Sequence, residues 1–178
     1  MIFLVRHGEA AASWGEHPDP GLSDVGHSQA EAVCDALIER GGQRVVSSPM
    51  QRCRETAAPL ARRLALTPDI SPAVSEIGTP AGVEDRVNWL QELMTGTWPE
   101  GMLHFCNAAT DFVDSCPIGT VIFSHFVAIN AVVGRLCDSP DVLIFRPGYC
   151  SITILERDSV TGKLRVRQLG DEIETRVL

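Results

Sequence analysis

A long uninterrupted apolar run is missing from this sequence. The longest candidate, Val121 to Cys137, is broken by His125, Asn130 and Arg135, and polar groups in mid-segment argue against a membrane-spanning helix. No secretory leader is expected either. The apolar opening MIFLV is too short for a signal core, and no basic segment precedes it. Positive charge is in short supply: 15 Lys and Arg stand against 23 Asp and Glu, for a formal net charge of −8. Affinity for nucleic-acid backbones and acidic membranes rests on Lys and Arg, so neither is an expected partner. A small basic pocket remains compatible with that balance. The six cysteines (Cys34, Cys53, Cys106, Cys116, Cys137 and Cys150) form no C-x-x-C and no short Cys/His ligand cluster. No zinc site, and no other metal or cofactor, is therefore expected. Reduced thiols packed as small hydrophobes, in a cytoplasmic protein, fit this usage. Internal repeats and low-complexity tracts are absent as well.

What is present is ordinary globular composition, 44% hydrophobic and 21% charged. At this length one domain over residues 1–178 is expected, burying roughly 70% of its unfolded surface. Ile2-Phe3-Leu4-Val5 is a continuous apolar run with β-branched members, suited to a strand covered on both faces. Ala10 to Gly21 is small, polar and rich in Pro and Gly, hence a loop. Ser23 is placed to cap a helix with Val25, Gln29, Val33, Ala36 and Leu37 along one face, stopped by Gly41-Gly42. Arg44 to Ser48 reads as a strand. Pro49 opens a helix to about Leu64, which Pro59 is expected to kink or divide. Thr67 to Pro80 carries three prolines and reads as irregular. Val83 to Met94 and Met102 to Ser115 read as helices, Val121 to Ser124 as a strand, and Val127 to Leu136 as a helix. Tyr149 to Glu156 and Leu164 to Leu169 read as strands joined by an Asp158–Gly162 turn. This alternation predicts an α/β three-layer sandwich, a mostly parallel sheet with helices on both faces.

Three strand ends share a character. The first runs into Arg6-His7, the second leads through Ser47-Ser48-Pro49 to Arg52, and the third ends in Ser124-His125. In open parallel sheets, ligands bind beyond the carboxyl ends of the strands. Two guanidiniums and two imidazoles brought to one edge form a site for a dianion such as a phosphoryl group. Arg suits it because its planar fork bonds two oxygens at once. Arg52 lies in a first helical turn, where backbone N–H groups also favour anions.

The ordered stretches LVRHGEA, LSDVGHSQA, SSPMQRCRETA and FSHFVAINAVVG together resemble the histidine phosphatase, or phosphoglycerate mutase-like, superfamily. They span Ile2 to Gly134, roughly three quarters of the chain. The resemblance implies that His7 is the nucleophile that becomes phosphohistidine. It implies that Arg6, Arg52 and His125 complete the phosphate pocket, and that Glu76 in SEIGTP is the acid/base carboxylate. Glu84 and Asp85 are the other carboxylates within reach of that role. Glu9 completes the first motif without a chemical role. Two positions depart from the pattern. Ser13 stands where many relatives carry Asn, as a phosphate-binding position, and Phe126 stands where many have Gly after the second histidine. Trp14, on the loop after the nucleophile, is a candidate pocket wall.

The chemistry is coherent on residue types alone. A neutral imidazole is a competent nucleophile, and flanking cations discourage its protonation. Phosphoryl transfer needs positioning and charge stabilisation more than covalent help. The leading expectation is a metal-independent phosphomonoesterase acting on a small phosphorylated substrate. The alternatives are a phosphoglycerate mutase-like phosphotransferase, a phosphohistidine-protein phosphatase, and a non-catalytic phosphate-binding regulatory module. Between Leu64 and Gly101 the only basic residue is Arg86, which argues against a mutase that must grip a second phosphoryl group.

Overall fold

A computed structural model describes residues 1–12 and 17–172. Ser13 and Trp14 lie outside the described residues. The elements in chain order are β1 (Ile2–Arg6), α1 (Asp24–Glu39), β2 (Arg44–Ser47), α2 (Gln51–Leu64), β3 (Asp69–Ile70), α3 (Arg86–Leu93), α4 (Leu103–Ser115), β4 (Thr120–Ser124), α5 (Phe126–Leu136), β5 (Ile152–Arg157) and β6 (Leu164–Gln168). Single 3-10 turns occupy Pro72–Val74 and Glu100–Met102. Among the described residues, no helix is long and apolar enough to cross a membrane.

The six strands form one sheet in the order β3-β2-β4-β1-β5-β6. β1 to β4 run parallel, while β5 pairs antiparallel with β1 and β6 antiparallel with β5. The chain first steps outward from β1 to β2 to β3, then returns to insert β4 between β2 and β1. Crossovers between parallel strands keep one hand, so reversing the direction of travel moves the helices to the opposite face. Side-chain packing follows that rule. Phe3 and Val5 of β1 pack with Val33, Cys34 and Leu37 of α1 and with Cys53, Ala57 and Leu60 of α2. Ile2 and Leu4, pointing the other way, pack with Ala109 and Val113 of α4 and with Ile129 and Val133 of α5. The all-apolar run at the start of the chain is what a strand between two helical layers requires. The expected α/β sandwich is the fold.

Several element boundaries differ from expectation. Pro59 lies inside α2 without dividing it. The helix survives the missing N–H because its inner face, including Cys53, Ala57, Leu60 and Ala61, is locked into the core. The buried face of α1 is Gly26, Ala30, Val33, Cys34 and Leu37, so the helix is rotated away from Val25, which is 53% exposed. Gly26 sets that rotation: a Cβ there would meet Glu9 O at 2.1 Å. Helix α3 starts three residues later than the sequence pattern suggests, because Asp85 caps it by accepting from Asn88 N at 3.0 Å. The stretch read as irregular contains the two-residue edge strand β3 and a 3-10 turn. β5 begins at Ile152 because the preceding residues turn: Ser151 N donates to Gly148 O at 3.1 Å, and Cys150 has φ of 54°. All six cysteines are free, with Cys137 exposed and Cys34, Cys53, Cys106 and Cys116 buried.

Candidate active site

β1 lies between parallel β4 and antiparallel β5 in the sheet, and its carboxyl end delivers two side chains. Arg6 and His7 are both buried. His7 N donates to Ser124 O at 3.0 Å, so the chain beyond β1 is still tied to β4. Gly8 then passes against α1, where a Cβ would meet Gly26 O at 2.8 Å. Gly8 N donates to Thr56 Oγ1 of α2 at 3.0 Å. Glu9 belongs to the α1 cap: Ser23 Oγ donates to Glu9 Oε1 at 2.7 Å and accepts from Gly26 N at 3.0 Å. Arg6 Nη1 donates to Pro147 O at 2.9 Å. Its guanidinium lies 4.1 Å from the Tyr149 ring centre and 5.2 Å from that of Phe126. Phe126 thus packs against Arg6, as a cation–π contact.

Arg52 links the two imidazoles. Its Nε donates to His7 Nε2 at 3.1 Å, and its Nη2 donates to His125 Nδ1 at 3.1 Å. A guanidinium has no acceptor, so both contacted ring nitrogens carry lone pairs. Both rings are therefore neutral. His7 holds its proton on Nδ1 and donates it to Gly8 O at 2.7 Å. His125 holds its proton on Nε2, facing Ser48 Oγ at 2.8 Å. The ring centres lie 5.3 Å apart. The third nitrogen of Arg52, Nη1, is buried and has no hydrogen-bond partner among the described residues. The nearest carboxylate oxygen, Asp19 Oδ1, is 3.9 Å away. That same oxygen accepts from Gln51 N at 2.9 Å and so caps α2.

Burial first, then the charges of Arg52 and Arg6, hold the His7 imidazole well below its ordinary pKa. For His125 the causes are burial, then the neighbouring His7, then Arg52 and Arg6. Cys53 Sγ sits 3.3 Å from His125 Nε2, and burial pushes this thiol far up. It is an inert neighbour.

Glu76 is buried beside this cluster. Its Oε2 accepts from Val127 N at 3.2 Å and its Oε1 from Ile77 N at 3.1 Å. The first of these bonds satisfies an orphan N–H in the opening turn of α5. Burial pushes the carboxyl above its ordinary pKa, against the pull of those N–H groups and of Arg52 and Arg86. Glu76 and Arg52 line one cavity of about 340 Å³, with Met50, Pro18, Thr79 and Arg86 among the other walls. An orphaned guanidinium N–H and a carboxyl whose burial favours its protonated form line this hollow, and the neutral imidazole of His7 is hydrogen-bonded to the same guanidinium. Together they suit transfer of a group with anionic oxygens.

The structure therefore gathers Arg6, His7, Arg52 and His125, and sets Glu76 beside them. Ser13 lies outside the described residues. Arg54, which shares a motif with Arg52, is exposed, and so are Glu84, Asp85, His17, His27 and His104. Four site neighbours were not singled out by sequence reasoning: Asp19, Ser48, Tyr149 and Thr56. Ser48 and Thr56 sit inside the SSPMQRCRETA motif, so the motif itself could have flagged them. Asp19 and Tyr149 are in loops and carry no periodic signal.

A family model described as the histidine phosphatase superfamily (branch 1) matches residues 2–98, more than half the chain. The uncharacterized protein Rv0525 of Mycobacterium tuberculosis is 34% identical over 134 residues, 66% of this chain and 66% of that protein. The chain thus spans just under two thirds of the length of that curated relative. Among solved structures, phosphoserine phosphatase from Entamoeba histolytica in complex with 3-phosphoglyceric acid matches with a TM-score of 0.76 at 18% identity, over 96% of each chain. A mycobacterial glucosyl-3-phosphoglycerate phosphatase complexed with VO3 matches at 0.70 and 22% identity, over 93% of this chain and 95% of that one. At these identities the likeness to both structures is one of fold.

Proposed function

We propose, for a chain that belongs to the histidine phosphatase superfamily, that it hydrolyses phosphomonoesters through a phosphohistidine formed on His7. Arg6, Arg52 and His125 hold the phosphoryl group, and Glu76 moves the proton. The observation that carries this reading is the pair of hydrogen bonds that Arg52 donates to His7 Nε2 and His125 Nδ1, each at 3.1 Å. It leaves the His7 lone pair on the nitrogen that faces the guanidinium. Solved neighbours of the same fold that are phosphatases support the same direction.

The steps follow from the donors present. Phosphoryl oxygens compete for the N–H groups of Arg52 and so uncover His7 Nε2. That nitrogen attacks phosphorus while the ester P–O bond breaks, and its electron pair leaves on the alkoxide oxygen. Glu76, whose burial favours the protonated form, donates its proton to that oxygen. The alcohol departs. A water then gives a proton to the Glu76 carboxylate as its oxygen attacks phosphorus, and the N–P electron pair returns to Nε2. The sum is ester plus water to alcohol plus phosphate. Three fixed cationic or N–H-bearing side chains supply the charge stabilisation.

The cavity, about 340 Å³, suits a small phosphorylated molecule. Its described wall offers one cation besides Arg52, namely Arg86, and this supports hydrolysis over transfer between two phosphorylated positions. The test is turnover of para-nitrophenyl phosphate in EDTA, with acid-labile, alkali-stable labelling of the quenched enzyme. His7→Ala is expected to lose both. Turnover that persists in His7→Ala overturns the nucleophile assignment.

A further inference from the structure

The segment carrying Glu76 runs from the 3-10 turn at Pro72–Val74 to α3. It reads S-E-I-G-T-P, and nothing lies within 4 Å of where a Gly78 side chain would be. Such a segment is expensive to hold still, because glycine and open surroundings leave it many conformations. On its inner side it is pinned to the sheet layer. Ser124 Oγ donates to Val74 O at 2.7 Å, and Val127 N donates to Glu76 Oε2 at 3.2 Å. On its outer side, among the described residues, the hydrogen bonds come from one side chain. Arg86, the first residue of α3, donates from Nη2 to Ile77 O at 2.7 Å and from Nη1 to Thr79 Oγ1. The two bonds straddle Gly78. α3 itself is anchored, since Leu90 is fully buried with Ile77, Phe126 and Val127. Arg86 also lines the cavity that Glu76 and Arg52 line.

We propose that Arg86 is a positioning residue for the proton transfer: its planar fork clamps both sides of Gly78 and so fixes where the Glu76 carboxyl faces the cavity. The inference rests on the reading of Glu76 as the acid. A fork is needed because the two acceptors lie two residues apart. A lysine ammonium keeps the charge but lacks the rigid pair of donors. The charged and titratable groups around Glu76 are Arg6 on β1, Arg52 and Cys53 on α2, and Arg86 on α3. Removing Arg86 therefore takes away one of three cations that favour the carboxylate.

The experiment compares Glu76→Gln, Arg86→Ala and Arg86→Lys on two substrates, para-nitrophenyl phosphate and an alkyl phosphate. Inhibition by inorganic phosphate reports the cradle. An alkoxide needs a proton to leave and a nitrophenolate does not, so loss of the acid falls on the alkyl ester. Arg86→Ala is expected to lower kcat/KM for the alkyl ester by about 10- to 100-fold. Its loss on para-nitrophenyl phosphate should be at least about tenfold smaller, with inhibition by phosphate little changed. Its basic limb for the alkyl ester should move to higher pH. Arg86→Lys is expected to leave that limb in place while recovering little of the rate. Equal loss on both substrates, or full rescue by lysine, overturns the clamp. If Glu76→Gln spares the alkyl ester, the acid assignment falls and the clamp with it. If Glu76→Gln is selective and Arg86→Ala is not, only the clamp falls.

Discussion

His7 and Glu76 are displaced from their ordinary protonation in opposite directions, and this sets the expected pH dependence of the rate. Burial holds His7 well below its ordinary 6.5, so its free base persists into acid solution. Burial holds Glu76 above its ordinary 4.5, so its acid form persists upward. The expected kcat/KM profile for an alkyl phosphate is a bell whose acid limb belongs to His7 and whose basic limb belongs to Glu76. Glu76→Gln is expected to erase the basic limb and leave the acid limb. A basic limb unmoved in that variant assigns it to another group. Phe126 supports a second prediction at this scale. Its ring lies 5.2 Å from the Arg6 guanidinium, a contact of order 0.5–2 kcal/mol. Phe126→Leu keeps an apolar cover but loses the π face. It should weaken inhibition by inorganic phosphate by about two- to thirtyfold, and unchanged inhibition would make the ring only packing.

At the scale of elements, the site depends on how closely the loop after β1 is drawn onto α1 and α2. Thr56 of α2 accepts from Gly8 N at 3.0 Å and donates to Arg52 O at 2.6 Å. Thr56→Val keeps the shape and removes both bonds, leaving a buried N–H beside the nucleophile unpaired. The expected cost is about 1–3 kcal/mol of stability, read from urea unfolding, together with a lower kcat. Gly26 makes the second contact. A methyl group on Gly26 would sit 2.1 Å from Glu9 O, so Gly26→Ala forces backbone apart and should destabilise by about 2–4 kcal/mol. A loss below about 0.5 kcal/mol would show that α1 slides freely. Helix α5 has a different dependence. Glu76 supplies the acceptor for Val127 N, so the carboxylate proposed as acid also completes a helix end.

Across the whole molecule, three buried groups with shifted protonation couple stability to pH. The unfolded chain binds protons on His7 and His125 below about pH 6.5, whereas the folded chain, with both pKa values lowered, does not. Their contribution is complete above about pH 6.5 and is lost as the pH falls toward the folded values. Glu76 acts oppositely: its raised folded value means stability declines as the pH rises from about 4.5 toward it. Just below about pH 6.5 the two histidines make stability rise with pH, and Glu76 opposes them. Urea midpoints at about pH 7.5 and 5.5 should show the loss, and His7→Asn should shrink it. Equal drops in both proteins would place the coupling elsewhere. The sheet, its helical layers and the meeting of Arg6, His7, Arg52 and His125 were legible in the amino-acid order. They rest on apolar periodicity and on strand exits, which are local properties. The motifs pointed to Arg52 and Glu76, and the tertiary structure adds that these two are buried while Arg54, Glu84 and Asp85 stay in solvent. The tertiary structure alone turned Phe126 and Tyr149 onto Arg6, set Asp19 beside Arg52 and brought the Arg86 fork to the cavity. Those placements depend on loops and on approaches between segments distant in the chain, and no short-range pattern encodes such distances.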